Sequence, residues 1–66
     1  MSADPDDLEL FHHLAAQVTG ELENAAVQAI RFQTGSPPTT LAPLIKRIEA
    51  ALVLVKAAQT IVDQNT

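Results

Sequence analysis

Few side chains in this sequence can do chemistry, and their spacing limits what they could do. His12 and His13 are adjacent. Neighbours on a helix point about 100° apart, so the two cannot ligate one metal ion from a single face. Glu9 and His13 do share a face at i, i+4 spacing, and a dimer could bring two such pairs together. A metal centre needs three or four ligands with supporting partners. The simpler expectation is a solvated His13 beside Glu9, and no metal. Nucleophilic catalysis needs a hydroxyl or thiol near a base and an orienting carboxylate. The chain has no cysteine, and Ser36 falls in a turn while both histidines lie toward the opposite end of the chain's first helix. Glu21 and Glu23 are not one-faced, and Glu49 has no acidic neighbour. Gly20 and Gly35 stand alone, so no glycine-rich phosphate loop is present. The expectation is a non-enzyme, with no catalytic residues and no cofactor.

The elements that would position these groups are helical. Asp4-Pro5-Asp6-Asp7 reads as a helix start: Asp4 can cap, Pro5 suits the first helical position, and the acids complement the helix dipole. Leu8, Phe11, Ala15, Val18, Leu22, Ala25, Ala29 and Phe32 then step by three and four, a heptad seam. Gly35 can take the left-handed conformation that ends a helix, and Pro37-Pro38 cannot continue one. Thr39 or Thr40 can cap a second helix with Pro43 in its first turn. Its seam is Leu41, Ile45, Ile48, Leu52, Val55, Gln59 and Val62, and the tail Asp63-Gln64-Asn65-Thr66 should fray. The spacing predicts one all-α domain over 1–66, an antiparallel αα-hairpin. Helix one runs over about 5–33, the turn over 34–39, and helix two over about 40–63. Folding back sets Leu41 on Phe32, Ile45 on Ala29, Ile48 on Ala25 and Val62 on Phe11.

That hairpin leaves apolar surface uncovered. The stretch Ala50-Ala51-Leu52-Val53-Leu54-Val55 is apolar round nearly the whole helix, the pattern of a helix buried on several sides. Off the seam, helix two still carries Leu44, Ala51, Val53, Leu54, Ala58 and Ile61, and helix one carries Leu10, Leu14, Val27 and Ile30. Contiguous surface of this kind marks an interaction site. Closure is expected through a homodimeric four-helix bundle or a protein partner, with Leu44, Ala51, Leu54, Ala58 and Ile61 as the contact face.

Composition narrows the function classes. With eight acidic residues against four basic ones, the net charge is −4, and nucleic-acid binding requires a basic face. Phe11 and Phe32 are the only aromatics available for base stacking. The apolar run is shorter than the roughly 20 residues that cross a bilayer, and Lys46, Arg47, Glu49 and Lys56 flank or interrupt it. No membrane insertion is expected. Met1-Ser2-Ala3-Asp4-Pro5-Asp6-Asp7 is acidic, unlike a signal peptide, which points to the cytoplasm. Arg31, Lys46 and Arg47 gather at the turn end and Asp4, Asp6, Asp7, Glu9 and Asp63 at the other. Lys46 and Arg47 either keep an apolar helix soluble or dock an acidic partner surface. Two hairpins packed head to tail would bring opposite charges together.

An Ala/Glu-rich first helix, a turn at Gly35 and Glu49-Ala50-Ala51-Leu52 within a second apolar helix form a layout that resembles the small co-chaperones of type III secretion systems. Those proteins hold the needle subunit before export. The resemblance spans roughly residues 15–62; Pro37-Pro38 and the lack of an aromatic in helix two depart from it. It implies a cytoplasmic chaperone role, with Leu44, Ala51, Leu54, Ala58 and Ile61 meeting a larger chaperone. A needle subunit is a neighbouring possibility, because those proteins use a Pro-containing turn between two helices. The remaining alternatives are an accessory subunit that stabilises an enzyme, and a small metal-binding bundle built on Glu9 and His13.

Overall fold

The computed structural model describes residues 4–65, which form two helices and no strand. α1 spans Pro5–Thr34 and α2 spans Ala42–Gln64. They pack along their lengths as an antiparallel hairpin. Met1-Ser2-Ala3 and Thr66, at the two ends of the sequence, lie outside the described residues.

The start of α1 follows from its local chemistry. The Asp6 amide donates to Asp4 Oδ1 at 2.8 Å, satisfying one of the amides that an unfinished helix end leaves unpaired. Pro5 occupies the first turn, and Arg31 lies in the last, where a cation suits the dipole. Gly35 departs from expectation. Its backbone is extended, at φ −109° and ψ −175°, while its amide still bonds Arg31 O at 3.0 Å. The chain leaves α1 directly into Ser36-Pro37-Pro38, where each proline holds the residue before it extended. No left-handed reversal is needed.

α2 begins later than expected, at Ala42, and Thr40 Oγ1 accepts from the Ala42 amide at 3.1 Å. Its C-terminal end is firmer than expected. Asn65 donates through its side chain to Ile61 O at 2.8 Å and through its backbone to Val62 O at 3.1 Å. The same side chain reaches Asp7 Oδ2 at 3.5 Å, which sets Asn65 level with Asp7 across the open end. Gln59 Nε2 also donates to Asp63 Oδ1 at 2.8 Å. An anchor made of polar side chains replaces the apolar one that this tail lacks.

The seam between the helices is rotated from the expected one. On α1 the covered positions are Asp7, Phe11, Leu14, Val18, Glu21, Ala25, Gln28, Ala29 and Phe32. On α2 they are Leu44, Arg47, Ala51, Leu54, Ala58, Ile61 and Asn65. The α2 row is one residue out of step with the expected seam, a turn of about 100° about the helix axis. Ala25 and Ala51 are 8% and 4% exposed; small residues facing the partner helix permit close approach of the two backbones. Besides these alanines only Ile61 is buried among the described residues, so the hairpin's own core is slight.

Candidate interaction surface

Rotation of α2 turns its most apolar row outward. Leu41, Ile45, Ile48, Leu52, Val55 and Val62 are all 40–52% exposed. On α1, Leu8, Ala15 and Leu22 are exposed as well, each following a seam residue by one position. On antiparallel helices the positions that follow the seam in this way lie on the same side of the pair. Two shallow grooves confirm it. Leu8, Phe11, Ile61, Val62 and Asn65 line one. Phe11, Ala15, Val18, Val55, Ala58, Gln59 and Val62 line the next. One side of the hairpin is therefore apolar across both helices.

Among the described residues that side carries no Asp, Glu, Lys or Arg. Its remaining positions are His12, Thr19, Ala26 and Gln33 on α1, half-buried Ala29 at its border with the seam, and Gln59 on α2. None of the chain's eight acidic and four basic residues occupies these rows. Thr19 Oγ1 donates to Ala15 O at 3.1 Å, so this hydroxyl can be covered without losing its partner. The His12 ring sits edge-on to Phe11 at 6.2 Å between centroids.

The opposite side mixes polar and charged residues with exposed Leu10, Val27 and Val53. Gln17, Gly20, Glu21, Asn24, Ala50, Val53 and Leu54 line its groove, a cavity of about 600 Å³. Glu21, Pro43, Lys46, Arg47 and Ala50 line a neighbouring one. Arg47 Nη1 lies 3.7 Å from Glu21 Oε2, both side chains about one-third exposed. Exposed pairs of this kind are worth about 0–1 kcal/mol.

The residues expected to meet a partner are thus elsewhere than expected. Ala51 and Ile61 are buried in the hairpin seam, and Leu44, Leu54 and Ala58 are half-buried along it. Lys46 is exposed on the mixed side, while Arg47 leans to Glu21. The seam and the outer face have exchanged places, because the alanine-bearing row allows the helices to come closer. Glu9 and His13 are exposed on α1, outside the uncharged rows. Among the described residues no three His, Cys, Asp or Glu side chains gather as a metal site would require. No described helix is long and apolar enough to cross a membrane.

Compared with family models, curated proteins and solved structures, the chain has no significant match in any of the three.

Proposed function

We propose that this chain is a non-catalytic assembly module, an α-hairpin whose uncharged outer face packs against helices of another chain. The observation that carries this reading is the combination of apolar character and absence of charge across both helices on one side only. A solvated face is normally interrupted by charged residues, and large uninterrupted apolar patches mark contact surfaces. A lipid surface fits less well, because membrane-lying helices border their apolar face with Lys and Arg, and only four such residues are present in a chain of net charge −4. A secretion co-chaperone or an accessory subunit of an enzyme would be instances of this class; in either, the outer face would meet the partner while Leu44, Ala51, Leu54, Ala58 and Ile61 hold the hairpin closed.

The test is the size of the native assembly. A tagged chain in extracts of its own cells should elute well above its 7.1 kDa monomer. Leu52→Glu should shift it to monomer size, since burying an unpaired charge costs about 3–5 kcal/mol. Val53→Glu, on the mixed side, should leave it unchanged. Monomeric elution of the wild type, or an unaltered Leu52→Glu assembly, would refute the role.

A further inference from the structure

Taking the assembly role as given, we infer that the occupant of the uncharged face is a second copy of this chain, docked face to face with both turns at the same end. The area fits. The hairpin exposes 5010 Å², whereas a compact monomer of this mass exposes about 4,100 Å². The excess, about 900 Å², is close to the roughly 800 Å² that each partner contributes to a standard stable interface. Covering an area of that size needs no partner larger than the hairpin itself.

The packing is self-complementary as well. A two-fold axis along the hairpin's length lays each α1 antiparallel to the copy's α2. Such an axis leaves heights along the hairpin unchanged, so the internal register, with Asp7 level with Asn65, carries over to the new seam. Leu22 then falls between Ile48 and Leu52 of the copy, Ala15 between Val55 and Gln59, and Ala29 between Leu41 and Ile45. At Ala15 and Ala29 small residues of α1 receive the bulky ones of α2, as knobs require holes, and Leu22 meets Ile48 and Leu52 as one aliphatic contact. His12 falls beside the copy's Gln59, so the polar groups of the two rows meet each other rather than an aliphatic wall. Docking head to tail would instead set α2 on α2 and α1 on α1, bulky rows against bulky and small against small, with unequal helix spacings. The end charges favour that second arrangement, but they are solvent-exposed and screened. Packing decides.

Ser36 is exposed in the turn, and Ser36→Cys would be the only cysteine of the chain. A nitroxide on it reports the arrangement in purified protein, with sedimentation giving the mass. The expected result is a dimer whose two labels lie within about 25 Å, the span of two helix spacings plus the label arms. Leu52→Glu should weaken the dimer at least about a hundredfold. A dimer with labels about 50 Å apart, the hairpin being 51 Å long, would overturn the shared-end geometry. A folded monomer would overturn self-association altogether. The assembly role then fails separately, when the tagged wild type is also monomeric in its own cells.

Discussion

Gly20 sits in the interior of α1, and a Cβ built there meets nothing within 4 Å. Its neighbours in space belong to the groove of the mixed side, away from the uncharged face. Gly20→Ala should therefore gain helix propensity, about 1 kcal/mol, without a steric penalty. For a domain of this size that gain raises the melting temperature by about 4–8 °C, which thermal denaturation followed by circular dichroism would measure. An unchanged or lower melting point would show that Gly20 holds a bend the helix needs. Residue-scale features of this kind were legible in the sequence wherever their causes were local. Asp4 caps the Asp6 amide and Pro5 occupies the first turn as expected, whereas Thr40 bonds the Ala42 amide from outside the cap position, which Leu41 holds. Gly35 was not legible, because its backbone is extended, a conformation open to any residue, and its own permissiveness goes unused.

At the scale of the helices, α2 carries two apolar rows about 100° apart, and the sequence ranks them in the wrong order for the hairpin. Leu41, Ile45, Ile48, Leu52, Val55 and Val62 form the more apolar row. As the bulkier row they are the residues that a two-helix chain is expected to bury against its first helix. Leu44, Ala51, Leu54, Ala58 and Ile61 close the hairpin instead, interleaved with Arg47. Bulk measures how much burial stabilises, but alanine determines how near two backbones can come. The legible signal was the charge: Asp7, Glu21 and Arg47 lie on the rows that form the seam, while the outer rows have none. Leu54→Glu and Leu52→Glu should accordingly fail in different ways. The first places a carboxylate in the hairpin's own seam, and helix content should fall at every protein concentration. The second acts through dissociation, so its helix signal should recover as concentration rises. Circular dichroism across a dilution series separates them; identical behaviour of the two variants would contradict the observed register.

For the molecule as a whole, slenderness is the governing property. The Cα radius of gyration is 15.4 Å, against about 11 Å for a compact domain of this length. With so slight an internal core, the proposed assembly role would have much of its folding free energy come from what lies against it. The connection over 35–41 acquires a second importance in that light. Two long helices joined by a short link could in principle straighten into one continuous rod and exchange arms with a neighbour, a low-cost route to misassembly. Pro37 and Pro38 bar that route, because neither donates the amide that an unbroken helix would require and each forces its predecessor out of helical backbone. Replacing both with alanine should yield a fraction of elongated, arm-exchanged species with a larger hydrodynamic radius in light scattering; a single unaltered species would mean the bend is enforced elsewhere. The prolines thus act as a lock on topology, confining each copy's two helices to the same half of any assembly it enters.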